Sequence, residues 1–336
     1  MEKKRDLVII NNEKIYKGED GFYCKNLDLK FLPEELSAHF KVNFIARQSR
    51  VKGGQKTKLS SINIASNILG FLIFIYKSFK EKPKFLVISI TPYTFFACIF
   101  LYLFRKKIYL YLRSDGYEEW KHILGGWSLW IFHFMFVICN FVSEVIVCNK
   151  RISKKGHLIS ISRLNSTWFQ NTKNASLEKV KLLYVGRLSP EKGIYNFIKM
   201  FDKLDNDEEL SIVGYSNNAS FSNKRIKLLG YCSDEDLLKK IYDSHNITIL
   251  PSYTEGYPYV IDESLSRKRP VIIFKEISYV INGKKGIFVS ERDLDSLNRT
   301  IKLIIKNYSD IQKEISENKL PTKNDMIKRI TNIIDN

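Results

Sequence analysis

The chain has 336 residues, 44% of them hydrophobic, which is enough for two domains with separate cores and too much for a disordered protein. Its formal net charge is +18, concentrated in residues 1–170 with 27 basic against 13 acidic side chains, compared with 27 against 23 beyond. Five scattered cysteines without paired spacing or a histidine cluster exclude a disulfide scaffold and a zinc module, and point to reduced thiols in a cytosolic protein.

The amino-terminal run through Ile10 is too short an apolar stretch for a signal peptide and predicts a first buried strand. Asn11 to Gly21, with Gly18 inside it, reads as a strand-to-helix loop, followed by a helical pattern through Leu27, Leu29, Phe31 and Leu36. The second strand, Val42–Ala46, runs into Arg47, Arg50, Lys52, Lys56 and Lys58 around Gly53-Gly54, with no acid between Lys41 and Lys58. Such a loop suits anionic lipid headgroups, or is simply solvated; the missing aromatic interleaving makes nucleic acid the poorer partner. An apolar helix is predicted over Ile62–Phe79. Residues 85–104 carry no charge, but Pro92 divides them into a strand and a helix, each too short to cross a bilayer.

Lys107–Leu112 is the next strand, ending in Arg113-Ser114-Asp115-Gly116. Strand, helix and strand alternate as in a parallel doubly wound sheet, whose ligands gather at the carboxyl ends of its strands. Asp115 is therefore either a ligand-facing carboxylate, able to orient a hydroxyl and take its proton, or the cap of the following turn. From His122 to Ser143 no Asp, Glu, Lys or Arg occurs, and the run is heavily aromatic. Its length reaches the roughly 20 residues of a membrane span, but Gly125-Gly126, His133 and Asn140 interrupt it. The better reading is a helix partly in the protein and partly in a membrane interface, which suits Trp127 and Trp130. A strand at Glu144–Cys148, a basic helix at Lys150–Lys155 and a last strand at Leu158–Ile161 complete a first domain over residues 1–170.

After a polar linker, Asn165–Lys179, a second domain over residues 178–318 repeats the alternation. Lys181-Leu-Leu-Tyr-Val-Gly186-Arg187-Leu-Ser-Pro-Glu191-Lys192-Gly193 is an apolar strand ending in a glycine turn with two cations. Leu210–Gly214 is a second strand ending in glycine, and Ile226–Gly230 a third that leads into a helix capped by Ser233, with Asp234 and Asp236 in its acidic first turn. Asn246–Leu250 then leads into Pro251-Ser-Tyr-Thr-Glu255-Gly256-Tyr257-Pro258, where Pro258 suits a first helical turn and Glu263 lies about a turn and a half inside the helix. A last helix over residues 322–336 is expected to pack back on the first domain.

The order and spacing of these motifs resemble the retaining GT-B glycosyltransferases, most closely glycosyltransferase family 4 (group 1). The resemblance implies an α/β fold of two Rossmann-like doubly wound domains facing across a cleft. It implies transfer of a hexose or N-acetylhexosamine from a UDP- or GDP-linked sugar, without metal or other cofactor, to a lipid-linked glycan of a bacterial surface polysaccharide such as capsule, O-antigen or lipopolysaccharide. It places Arg187 and Lys192 on the diphosphate, Glu255 and the Gly256-Tyr257-Pro258 backbone on the donor sugar, and Glu263 on the ribose hydroxyls, with Gly186 and Gly21 lining the loops. Arg113 and Asp115 fall on the acceptor side, where the family commonly reads His-Asp and this chain has Ser114-Asp115. Residues Ser266 to Pro270 depart from the small-residue helix end of the family, and residues 274–279 lack its customary glycines. The basic first half implies attachment to the inner face of an anionic membrane. A nucleotide-sugar 2-epimerase and a catalytically silent scaffold share the fold and remain alternatives.

Overall fold

The computed structural model describes residues 4–25, 27–204, 208–214 and 221–335; residues 1–3 and 336, at the limits of the predicted first and last elements, lie outside these. The chain divides into two compact units, residues 1–160 with 325–336, and residues 161–324.

The first unit opens with β1 (Arg5–Gly18), which turns directly into β2 (Gly21–Cys24) as an antiparallel hairpin. The glycines at 18 and 21 thus pair across a two-residue turn and do not form the predicted strand-to-helix loop, because β1 keeps its pairing beyond Asn11 through an irregularity between Ile10 and Lys14. Next come α1 (Leu27–Leu36), β3 (Phe40–Gln48), β4 (Gln55–Lys56) and β5 (Ile62–Ala65). β5 corrects the helix predicted from Ile62: its residues add in parallel to β3, and the helix α2 (Ile68–Ser78) starts only where the Asn67 side chain accepts from the Gly70 N–H at 2.8 Å. The unit continues with β6 (Lys84–Ile88), α3 (Pro92–Leu103), β7 (Ile108–Leu112), α4 (Gly116–Leu124), α5 (Ser128–Val142), β8 (Glu144–Val147) and β9 (His157–Leu158). The aromatic run expected as one helix is therefore two, broken at Gly125, whose φ of +87° a side chain rarely adopts. The predicted basic helix at 150–155 is turn and bend, held where Lys150 Nζ donates to the Gly156 carbonyl at 2.6 Å, and the strand after it is only two residues long.

Strands β5, β3, β1, β6, β7, β8 and β9 run side by side in parallel, while β2 adds antiparallel to the far part of β1 and β4 antiparallel to β2. Successive side chains point to opposite faces. Val8, Ile10, Phe85, Val87, Leu110 and Leu112 meet Phe71 and Ile75 of α2, Cys98 and Leu101 of α3, and Phe132 and Met135 of α5. Each such burial contributes about 1.5–3 kcal/mol over an exposed side chain.

The second unit contains β10 (Lys181–Val185), a 3-10 turn at Pro190–Lys192, α6 (Ile194–Phe201), β11 (Glu209–Val213), β12 (Ile226–Gly230), α7 (Glu235–Asp243), β13 (Ile247–Leu250), α8 (Tyr259–Ser266), β14 (Val271–Phe274), β15 (Ile287–Ser290), α9 (Leu294–Lys306) and α10 (Tyr308–Ser316). Asp234, not the expected Ser233, caps α7 by accepting from the Leu237 N–H at 2.8 Å. The six strands are all parallel in the order β12-β11-β10-β13-β14-β15, so the winding direction reverses between β10 and β13. The closing helix α11 (Lys323–Asp335) buries Met326, Ile327 and Ile330, and the Ile334 carbonyl accepts from Tyr109 Oη at 3.0 Å and from Lys84 Nζ, both in the first unit's sheet.

Candidate functional site

In an open parallel sheet a ligand crevice forms where the winding reverses, outside the carboxyl ends of the strands. In the second unit that point is flanked by the loop after β10, Gly186–Gly193, and the loop after β13, Pro251–Pro258. The loops touch because Gly193, at φ +65°, would put a Cβ 2.0 Å from the Pro251 carbonyl oxygen, so only glycine fits. Gly186 leans against Gly214 in the same way: a Cβ on Gly214 would stand 2.0 Å from the Gly186 oxygen.

Across this junction Lys192 Nζ donates to Glu255 Oε1 at 2.6 Å, and the Ser252 hydroxyl donates to the same oxygen at 2.6 Å. Glu255 is shielded, with only 7% of its side chain exposed. Tyr279 holds its backbone from above, with Oη donating to the Glu255 carbonyl at 2.7 Å and accepting from the Glu255 N–H at 3.0 Å. Arg187, by contrast, is 75% exposed and lies 3.4 Å from Glu191. Burial works against ionisation of Glu191, but the Ser189 hydroxyl and the charges of Arg187 and Lys192 hold its carboxyl below the usual range. Burial, reinforced by the charges of Glu255 and Glu191, pushes the Tyr184 phenol well up, so it stays a donor and pins the Arg187 carbonyl at 2.6 Å.

Glu263 sits inside α8, buried, with the Tyr242 hydroxyl donating to Oε2 at 2.9 Å. Burial raises its pKa, partly offset by the Tyr242 bond and the Arg163 charge. Ahead of it, Gly256, Tyr257 and Pro258 lead into the helix start; Tyr257 Oη donates to Asp262 Oδ2 at 2.6 Å, and Lys284 Nζ to Asp262 Oδ1 at 2.5 Å. The structure thus brings Lys192 into contact with Glu255, with Arg187 on the Lys192 loop beside Glu191, while Glu263 is bonded to Tyr242.

Residues the sequence did not single out complete the setting. Arg292 stacks on Tyr253 and Phe274, at 4.1 and 4.3 Å from the ring centroids, and donates to the Pro251 carbonyl at 3.0 Å, fixing the second loop. Arg163 lies over the Tyr259 ring at 4.5 Å. Nothing local marks either one: Arg292 reaches Pro251 across 41 positions and Arg163 reaches Tyr259 across 96. The unusual Arg267 and Arg269 are buried and structural. Arg267 grips Asp243 at 2.5 and 2.9 Å and donates to the carbonyls of Trp168, Gln170 and Asn171, so the polar stretch expected as linker is tied into the second unit.

The remaining candidates lie in the first unit. A pocket at the ends of β6 and β7 is lined by Ser89, Arg113, Ser114, Asp115, Tyr117 and Phe132, among others. Asp115 caps α4 by accepting from the Tyr117 N–H at 3.0 Å. Gly116 lets α4 close on α5, since a Cβ there would lie 2.2 Å from Phe132. Gly21, at φ +147°, belongs to the β1–β2 hairpin beside Lys56, which gives it a local backbone reason. Among the described residues, no group of three or more His, Cys, Asp or Glu side chains is placed to hold a metal ion.

Residues 166–320 match the family model described as Glycosyl transferases group 1. Over 286 residues the chain is 24% identical to the capsular polysaccharide biosynthesis glycosyltransferase CapM of Staphylococcus aureus, an alignment covering 74% of each protein. It is 27% identical over 167 residues to an uncharacterized glycosyltransferase of Haemophilus influenzae, covering 46% of this chain and about half, 47%, of that protein. Among solved structures, HepE of Anabaena in complex with UDP and glucose superposes with a TM-score of 0.69, covering 99% of this chain and 100% of that one at 13% identity. Residues 166–320 are thus a group 1 glycosyl transferase domain, and the chain has the GT-B fold.

Proposed function

We propose that the chain is a retaining glycosyltransferase of family 4 that moves a hexose or N-acetylhexosamine from a UDP- or GDP-linked sugar to a lipid-linked glycan. Its setting is bacterial surface polysaccharide synthesis at the inner face of the membrane, in keeping with its similarity to a capsular polysaccharide glycosyltransferase. The observation that carries this reading is the Lys192–Glu255 contact between the two loops that flank the winding reversal of the second sheet.

Breaking a sugar–diphosphate bond leaves negative charge on the diphosphate, so the reaction needs fixed cations there more than a strong nucleophile. Arg187, exposed beside the junction, is able to fork phosphate oxygens, and Lys192 adds a compact charge held in place by Glu255. In this reading the two cations do the work of a metal. Glu255 and the Gly256–Pro258 backbone hold the sugar, and Glu263 accepts from the two ribose hydroxyls. The acceptor hydroxyl approaches the same face that the diphosphate leaves, and the departing phosphate takes its proton, which retains the anomeric configuration. Arg113 and Asp115 attend the acceptor.

The test is calorimetric titration of UDP and GDP in the presence of a chelator. One nucleotide is expected to bind, and Arg187→Ala and Glu263→Ala to weaken it about tenfold or more. Donor turnover is then followed with and without glycan acceptors. Epimerised donor without acceptor would make the chain an epimerase, and folded protein that binds neither nucleotide would make it a silent scaffold.

A further inference from the structure

The helices that cover one face of the first sheet carry apolar side chains on both of their own sides. Along α5, Ser128, Phe132, Met135 and Cys139 face the core, while Trp130, Phe134, Val137 and Phe141 recur every three to four residues on the solvent side. Trp130 is 82% exposed and Phe141 76%. A helix that is apolar all round has two apolar surroundings, and the core supplies only one. The neighbouring helices extend the face. Phe96 and Leu103 of α3 and Leu69, Ile73 and Tyr76 of α2 are exposed. The surface is continuous: Phe134 packs on Phe95 at 5.9 Å between centroids, and Phe104, just past α3, packs on Tyr76 at 5.8 Å.

Charge decides what covers this face. Residues 57–114 contain nine cations and a single acid, Glu81, and residues 120–143 contain no acid at all. Lys77, Lys80, Lys82, Arg105 and Lys107 are exposed where α2 and α3 end, and Lys106 lies over the Phe79 ring at 4.7 Å. A second copy of the chain would set one basic rim against another, whereas an anionic bilayer complements both the rim and the aromatic plane. No helix among the described residues is long and apolar enough to cross a membrane. The face is suited to lying in the interface, where exposed tryptophans are stable.

The geometry points to the α2–α3–α5 face as a docking surface for an anionic lipid bilayer. The inner side of α5 lines the pocket that holds Arg113, Asp115 and Arg151, through Phe132 and Phe136. One helix therefore joins bilayer and pocket, and docking brings the pocket to a glycan carried on a membrane lipid. This last step rests on the lipid-linked acceptor proposed above; the docking itself does not.

The full chain is sedimented with vesicles of phosphatidylcholine with and without phosphatidylglycerol, while tryptophan emission is recorded and nucleotide binding is measured separately. Binding to the anionic vesicles alone, with a blue shift in emission, is expected. The triple variant Trp130→Ser, Phe134→Ser, Phe141→Ser should weaken it about tenfold or more through lost apolar contact, and Lys77→Glu with Lys80→Glu by a similar factor. All five side chains are exposed, so thermal midpoints should hold; quenching of wild-type emission by brominated lipid tests the face without any substitution. Failure of the wild type to bind, undiminished binding by the triple variant, or unquenched emission overturns the proposal. So does a wild-type dimer that the triple variant converts to monomer without any vesicle binding, since the covering partner is then a second copy. Vesicle binding without nucleotide binding would sink the transferase reading and leave the docking surface standing; the reverse would sink the docking surface alone.

Discussion

Glu263 carries a pH signature that follows from its burial. Burial raises its carboxyl above the value it has in the unfolded chain. Its contribution to stability is therefore full below the unfolded pKa and is lost as pH rises through the folded one. Glu263→Gln keeps an oxygen that can accept from Tyr242 and removes the charge. Thermal midpoints across the acid range should show the variant gaining on the wild type as pH rises through that window, with little difference below it. A gap independent of pH would mean that the carboxylate is not paying for its burial in the free protein. Asp115 poses a different question, because its observed contact is a helix cap. Asp115→Asn keeps a capping oxygen and should leave stability within about 0.5 kcal/mol, whereas Asp115→Ala should cost about 1 kcal/mol. If acceptor-dependent turnover falls in the Asn variant at unchanged stability, the carboxylate acts in the chemistry; if it falls only in the Ala variant, the cap is its whole role.

The elements of the second unit are joined by long-range polar ties that their own patterns do not announce. Arg267 is the main one, binding Asp243 at the end of α7 together with three carbonyls in residues 168–171 from the end of α8. Removing it leaves Asp243 buried with less compensation and those carbonyls without a donor. Arg267→Ala is expected to cost about 3–5 kcal/mol, measured by urea unfolding. Arg269 shares the site, donating to the carbonyls of Tyr242 and His245. The same reasoning explains why Arg267-Lys268-Arg269 looked anomalous as a helix end: charges that read as surface in the sequence are consumed by backbone carbonyls of a segment about 100 positions earlier.

At the scale of the whole molecule, α11 is the element whose removal is most informative. It buries five apolar side chains, Met326, Ile327, Ile330, Ile333 and Ile334, and its carbonyl at Ile334 accepts from Tyr109 and Lys84 of the first sheet. A chain stopped after residue 322 should lower the midpoint of the transition belonging to the first unit by tens of degrees or abolish it, since each of the five lost burials is worth about 1.5–3 kcal/mol and a domain's whole stability is only about 5–15 kcal/mol. The doubly wound GT-B class was legible because apolar runs ending in glycine, separated by helical periods, are local signals. The loops with Arg187, Lys192, Glu255 and Gly256–Pro258 stood out for the same reason, each being defined within about a dozen residues. What the local signal misjudged was the boundary of short apolar runs: Ile62–Ala65 fits a strand or a helix by pattern, and only its pairing with β3 made it a strand. The tertiary structure alone decided that Lys192 meets Glu255 across 63 positions and that Arg292 braces the loop that carries Glu255. It also decided that the solvent face of α5 has no protein cover among the described residues. Backbone preference is written residue by residue, whereas a side chain's partner depends on where distant strands bring the chain back.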